Sequence, residues 1–231
     1  MGRAKCRQEP VITHHRPLTL SESGFELRQL FPTPVVVAPV NDAPALNHSL
    51  RATILAHRAR ETGVQRSNAG GWQSRDDFAA WSGEDGARLI DMANRLADQL
   101  TRVQTDAGLE HISPAWKINA WANVNVSGDA NHAHHHPGSF WSGVYWVDAG
   151  EAGETQPDGG EFEMLDPRGV LPCFAAPLLR TAVAGCLSAG MSEFLVPRSG
   201  TMLLFPSWLV HAVRPYRGKA PRISVAFNFA A

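Results

Sequence analysis

Trp116-Lys-Ile-Asn-Ala-Trp-Ala-Asn-Val-Asn-Val126 alternates from end to end. Successive side chains of a strand point to opposite sides, so Ile118, Ala120, Ala122, Val124 and Val126 share one face while Asn119, Trp121, Asn123 and Asn125 share the other. A face rich in asparagine suits a polar cavity better than a dry core. The stretch Arg222-Ile-Ser-Val-Ala-Phe-Asn-Phe229 repeats the pattern, setting Arg222, Ser224, Ala226 and Asn228 against Ile223, Val225, Phe227 and Phe229. Further short strands are expected at 140–147, 160–165 and 200–205, and nothing after Pro114 reads as an amphipathic helix. The fold class expected is therefore mainly β with flanking helices: a double-stranded β-helix, the jelly-roll or cupin-like barrel.

Helical signals precede the strands. Leu46, Leu50, Ile54 and Leu55 recur at helical spacing over 46–60, with Gly63 as the expected stop. Ser82-Gly-Glu-Asp85 resembles a capping box ahead of Leu89, Met92, Ala93, Leu96, Leu100 and Val103, which share one face. Before the first helix, residues 31–40 (FPTPVVVAPV) are β-branched and bounded by proline, as in a strand near a sheet edge. Between the helices, Ser67-Asn-Ala-Gly-Gly-Trp-Gln-Ser74 is rich in turn formers and its paired glycines predict a tight loop.

A chain of 231 residues, 44% apolar with net charge −1, is long enough for one sizeable core. The reading divides it into a poorly ordered extension over 1–28 and a single domain over 29–231. No charge run calls for nucleic acid, and no segment approaches the roughly 20 apolar residues of a membrane helix. The first 28 residues lack the apolar region of a signal peptide. Cys6, Cys173 and Cys186 are odd in number and spaced neither for a disulfide framework nor for a zinc knuckle, so a cytoplasmic location is expected. The partners expected are small molecules, with a homodimer as the oligomeric option. Residues 168–198, rich in Pro, Ala and Leu, read as a long insertion or lid over the barrel mouth.

The chemistry concentrates in two segments about 75 residues apart, His132-Ala-His-His-His136-Pro and Phe205-Pro-Ser-Trp-Leu-Val-His211. In an extended segment His132, His134 and His136 point one way and His135 the other, so two of that set can share one ion. The registers His134/His136 and His132/His134 both satisfy this, and a surface polar loop with adventitious metal binding is the plain alternative. His211 follows an apolar run typical of a buried strand. If residues 215–220 form a turn, His211 pairs almost opposite Arg222, with Cβ atoms roughly 5 Å apart. A buried arginine needs an anionic partner: either a structural Asp or Glu, or a dicarboxylate held by bidentate hydrogen bonds with help from the Ser224 hydroxyl.

These segments resemble a known family. His134-His-His136-Pro-Gly-Ser139, Ser142-Gly-Val-Tyr-Trp146, Asp166-Pro-Arg168, Phe205 to His211 and Arg222-Ile-Ser224 are similar to the 2-oxoglutarate/Fe(II) oxygenases of bacteria and phages, and the 31–34 and 67–74 stretches match as well. The resemblance implies a double-stranded β-helix enzyme using Fe(II), 2-oxoglutarate and O2. It implies His134, His136 and His211 as metal ligands and Arg222 with Ser224 as the clamp on the far carboxylate. Conversion of 2-oxoglutarate to succinate and CO2, with hydroxylation of an unidentified prime substrate, is the activity that follows. Asn123, Asn125 and Tyr145 are candidate hydrogen-bond partners of the cosubstrate or of a ligand. Trp121, Trp141, Trp146, Trp208 and Asp166 to Arg168 are candidates for the barrel mouth.

The chain departs from the wider superfamily at His136, where the usual facial triad carries a carboxylate. Three neutral imidazoles leave the Fe(II) site near +2 instead of +1, which favours a dianionic ligand. Zinc also suits three histidines, and affinity alone prefers it. Two other readings accommodate the same residues: a three-histidine cupin-like enzyme that binds its substrate directly on iron, and a metal-binding barrel without turnover.

Overall fold

The structure is a computed structural model, and it describes residues 31–150, 159–169 and 191–231. The alternating segments form its main sheet. Strand β1 (Val36–Pro39) is the proline-flanked edge, followed in chain order by α1 (Ala43–Arg58), β2 (Asn68–Ala69), β3 (Trp72–Gln73), α2 (Phe78–Trp81), α3 (Gly83–Leu100) and a hairpin of β4 (Val103–Thr105) and β5 (Gly108–Glu110). The rest is β6 (Lys117–Asn125), β7 (Ala130–His134), β8 (Trp141–Asp148), β9 (Phe162–Leu165), β10 (Ser192–Leu195), β11 (Thr201–Pro206), β12 (His211–Val213) and β13 (Arg222–Ala230). A six-stranded antiparallel sheet runs β1-β11-β8-β13-β6-β3, and a five-stranded one runs β10-β9-β12-β7-β2. Facing sheets with helices on one outer side are the jelly-roll arrangement expected, and among the described residues they form two sheets and not a closed barrel.

Burial explains the layering. Ala120, Ala122 and Val124 of β6 and Ile223, Val225, Phe227 and Phe229 of β13 pack in one cluster with Leu46, Leu50 and Ile54 of α1 and Leu89, Ala93 and Ala97 of α3. Burying each large apolar side chain stabilises the fold by roughly 1.5–3 kcal/mol. A second, smaller cluster of Val144, Trp146, Phe162, Met164, Leu203, Phe205 and Leu209 fills part of the space between the sheets. The opposite faces of β6 and β13 carry the polar residues inward, and their register sets Arg222 beside Asn125 and Ser224 beside Asn123.

Several expectations are corrected. His211 and Arg222 are not opposed on one hairpin: β12 pairs with β7 and β9, whereas β13 pairs with β6 and β8. The 215–220 segment carries the chain from one sheet to the other instead of turning it back, and the two residues meet across the interior. Ser82 does not cap α3 through its side chain. It also closes α2, its N–H bonding to the Phe78 carbonyl, and this holds it at φ −80°, ψ −5°, a helical conformation in which Oγ cannot reach the first-turn amides. Val103 lies on β4, outside the helix, and α1 stops at Arg58, before Gly63. The paired Gly70 and Gly71, both at positive φ, carry the chain between sheets, since β2 joins β7 and β3 joins β6. The extension over 1–28 and most of the 168–198 segment lie outside the described residues.

Candidate functional site

Between the sheets lies a cavity lined by His134, His136 and His211, by Arg222 and Ser224, by Asn123 and Asn125, and by Ser67, Trp121 and Asn131. The five-stranded sheet supplies the histidines. His134 and His211 are register partners across β7 and β12, and His136 follows where β7 ends. One ring nitrogen from each of the three lies within 4.8 Å of the others. The ring centroids stand 4.4 Å apart for His134 and His211, 5.0 Å for His134 and His136, and 5.2 Å for His136 and His211.

His132 is left out, and the reason is a bulge. A three-residue step on β7, from Asn131 to His134, is set against the two-residue step from Val213 to His211 on β12. The extra residue breaks the alternation. Asn131 and His134 therefore both reach the cavity while His132 turns to solvent, as does His135.

Backbone carbonyls set the tautomers. Nδ1 of His134 lies 2.7 Å from the His132 carbonyl and Nδ1 of His211 lies 2.9 Å from the Leu209 carbonyl, so both rings donate through Nδ1 and keep a lone pair on Nε2. His211 is 4% exposed, with Phe162 stacked on it at 5.2 Å and Phe205 edge-on at 4.8 Å. Burial lowers all three pKa values, with the neighbouring histidines opposing charge further: His136 falls to about 4, His211 to about 3, and His134 is lowered too. The cluster is thus neutral at pH 7, the state a metal requires, and loading it releases few protons.

The same shifts imply a pH dependence for the metal-free protein. Below the unfolded value near 6.5 the unfolded chain takes up protons that the folded cluster refuses, so stability is fully present above 6.5 and is lost as pH falls toward the folded values of about 4 and 3. Melting temperatures of the metal-free protein between pH 7 and pH 4.5 should fall steadily. His211→Gln should flatten that slope, and equal slopes in the two proteins would refute this account.

On the opposite wall Arg222 is 3% exposed. Its Nη1 donates to the Gly160 carbonyl at 2.6 Å, and its Nε is buried without a partner. Burial lowers its pKa to about 10, Tyr216 and Glu161 partly opposing, and the group stays cationic at neutral pH. Ser224, 7% exposed, shares the face, and Trp146, the register partner of Ser224 on β8, has a buried indole N–H that also lacks an acceptor. A buried guanidinium donor without an acceptor beside a hydroxyl is what a carboxylate-binding pocket requires. Trp146 itself packs in the apolar cluster with Phe162, Leu203 and Phe205 and is not among the residues that line the cavity.

Tyr145 corrects the other expectation. It lies on the helix side of β8, donating from Oη to Asn47 Oδ1 at 2.6 Å, where burial raises its pKa to about 12. It does not line the cavity. Of the other tryptophans, Trp121 borders the site, its ring 5.9 Å from that of His136, Trp141 is buried and donates to Thr101 Oγ1, and Trp208 is exposed. Ser67 and Asn131 were not anticipated as cavity residues, because the bulge that turns Asn131 inward is set by its partner strand.

Residues 119–228, a little under half of the chain, match the family model described as "Putative 2OG-Fe(II) oxygenase". Among solved structures, a Pseudomonas putida prolyl-4-hydroxylase superposes with a TM-score of 0.56 at 15% identity, covering 85% of this chain and 91% of the other. A Trichoplax adhaerens prolyl hydroxylase, solved with a hypoxia inducible factor peptide fragment, gives 0.57 at 10% identity over 85% and 83%. HygX from Streptomyces hygroscopicus, solved with nickel and 2-oxoglutarate, gives 0.54 at 14% identity over 86% and 83%. No curated protein matches the chain in sequence. At these identities the structural likenesses establish the fold.

Proposed function

We propose that this chain, whose residues 119–228 match the 2OG-Fe(II) oxygenase model, is an enzyme of that family, that His134, His136 and His211 are its iron ligands and that Arg222 with Ser224 is its cosubstrate clamp. The protein is an oxidoreductase that depends on Fe(II), 2-oxoglutarate and O2. The observation that carries the assignment of residues is the pairing across one cavity of three neutral imidazoles with a buried guanidinium whose Nε has no partner.

The donor set fits both groups. Three imidazole nitrogens suit a first-row divalent ion, and Arg222 and Ser224, which line the cavity, offer the donors a carboxylate accepts. When bound, the iron and 2-oxoglutarate supply the oxidising chemistry, in which O2 is consumed, the cosubstrate becomes succinate and CO2, and oxygen enters a C–H bond of the prime substrate. The protein's own part is positional. The His132 and Leu209 carbonyls hold the His134 and His211 rings in one tautomer, Phe162 and Phe205 exclude water around His211, and Arg222 fixes a dicarboxylate by its far end. Asn123 and Asn125, beside Ser224 and Arg222, are assigned to hydrogen bonds with the cosubstrate. Hydroxylation is the outcome assigned to the prime substrate.

None of the described helices is long and apolar enough to cross a membrane. We assign the enzyme to the cytoplasm, a placement supported by three cysteines that suit no disulfide framework.

The test is an anaerobic titration of 2-oxoglutarate into the Fe(II)-loaded protein, followed by its visible metal-to-ligand charge-transfer band. A saturable band is expected in the wild type, and Arg222→Ala should weaken binding by about 100-fold or more while keeping iron, because charge-assisted bidentate bonds are lost from a buried site. Iron loading without any band would sink the assignment and favour an enzyme that binds substrate directly on three histidines.

A further inference from the structure

Ser67 opens the loop that crosses between the sheets, and strand pairing fixes where it sits. The His132 N–H donates to the Ser67 carbonyl at 2.9 Å, and the next two residues, Asn68 and Ala69, pair with Asn131 and Ala130. Its Oγ is thereby held 3.3 Å from Nε2 of His134, and the Asn131 amide donates to the same Oγ at 3.2 Å. Both Ser67 and Asn131 line the cavity. Since Nδ1 of His134 is committed to a backbone carbonyl, the Ser67 proton satisfies the Nε2 lone pair in the metal-free protein.

A serine hydroxyl has one proton to donate. An ion that takes the Nε2 lone pair removes that proton's acceptor, while the Asn131 amide still holds the oxygen. The proton must then turn to the nearest acceptor beside His134. Three imidazoles bring no oxygen anion of their own, and an anionic oxygen on the metal's exogenous ligand would be the strongest acceptor to reach that position. We propose that Ser67, oriented by Asn131, is a binding residue for the cosubstrate and donates to the carboxylate oxygen that the 2-oxo acid places on the metal next to His134. Arg222 would then hold one end of the cosubstrate from the six-stranded sheet and Ser67 the other from the five-stranded sheet. The inference rests on His134 being a metal ligand and on the 2-oxoglutarate assignment above.

The experiment is the anaerobic titration of 2-oxoglutarate into Fe(II)-loaded protein, reading both affinity and the position of the charge-transfer band, in wild type, Ser67→Ala, Ser67→Thr and Asn131→Ala. Ser67→Ala should bind iron within about twofold of wild type and 2-oxoglutarate about 10- to 100-fold more weakly, as for loss of a hydrogen bond to a charged group. Its band should move, and Ser67→Thr should restore both readings. Asn131→Ala, which keeps the hydroxyl but frees its direction, should weaken 2-oxoglutarate binding by a smaller factor and serves as the test should Ser67→Ala fail to fold. Wild-type affinity and band in Ser67→Ala, or in Asn131→Ala where that is the variant that folds, would overturn the proposal. So would loss of iron itself from Ser67→Ala, which would make the residue a ligand or a scaffold. Wild-type protein that loads iron and gives no band would fell the cosubstrate assignment and this inference together, whereas a band lost in Arg222→Ala but untouched in Ser67→Ala would fell this inference alone.

Discussion

Fe(II) affinity is expected to fall by more than about 100-fold when His211 is replaced by alanine, a larger loss than the 10–100-fold that follows removal of an outer hydrogen-bond partner of a ligand. His211 sits at the centre of the five-stranded sheet, with β7 on one side and β9 on the other. Its ring is oriented by the Leu209 carbonyl and enclosed by Phe162 and Phe205. No other described titratable side chain stands ready in its place, because His132 and His135 face solvent and His134, His136 and His211 are the only described cluster of this kind. Thermal melts check the loss without reference to turnover. Iron at about 100 times its Kd stabilises a folded state by about 2.7 kcal/mol, which is roughly 5–10 °C for a domain of this size. His211→Ala should show no iron-dependent shift, and a shift equal to that of wild type would remove His211 from the site.

The second large effect is expected from a glycine that touches neither iron nor cosubstrate. Gly160 adopts φ +74°, and a Cβ there would lie 2.6 Å from Arg222 Nη1 and 3.2 Å from the Tyr216 ring. Gly160→Ala therefore carries a left-handed backbone cost of about 1–2 kcal/mol and also pushes on a guanidinium that Gly160 itself anchors through its carbonyl. The guanidinium is the flexible partner and yields toward the cavity, the space assigned to the far carboxylate. We expect 2-oxoglutarate to bind about 10- to 100-fold more weakly while iron binds as in wild type. Gly83→Ala is the control, since Gly83 has φ +71° and open space where its Cβ would go. It should share the backbone cost and leave 2-oxoglutarate affinity alone. If the two variants behave alike, the contact with Arg222 plays no part in cosubstrate binding.

What could be read from the chain depended on which surfaces each strand divides. Strands β6 and β13 separate helices from cavity, so their two faces differ in polarity and the alternation from Ile118 to Asn125 and from Arg222 to Phe229 shows in the residues. β8 has apolar packing on both sides, and all but the last of its residues are buried. Nothing in Val144-Tyr-Trp-Val147 indicates that Tyr145 turns toward α1 while Trp146 turns inward beside Ser224. The opposition of His211 and Arg222 failed for a related reason: a segment of Pro, Tyr, Arg, Gly and Lys reads as a turn, yet whether it reverses a strand or hands the chain to a second sheet is decided by pairing with distant strands. The bulge in β7 is likewise a property of the pair and not of the histidine run, which is why the run alone left two registers open and drew no attention to Asn131.

The placement of His134 and His211 on one sheet and of Arg222 and Ser224 on the other has a mechanical consequence. Each sheet has its own hydrogen-bond ladder, and around the cavity the two are joined by chain crossings such as Gly70–Gly71 and by side-chain packing. A molecule gripped at one end by the histidine cluster's ion and at the other by Arg222 is a removable rivet through the sandwich. Its arrival suppresses the opening motions that separate the layers, so cosubstrate added to the iron-loaded protein should slow amide exchange on both sheets beyond what iron alone does.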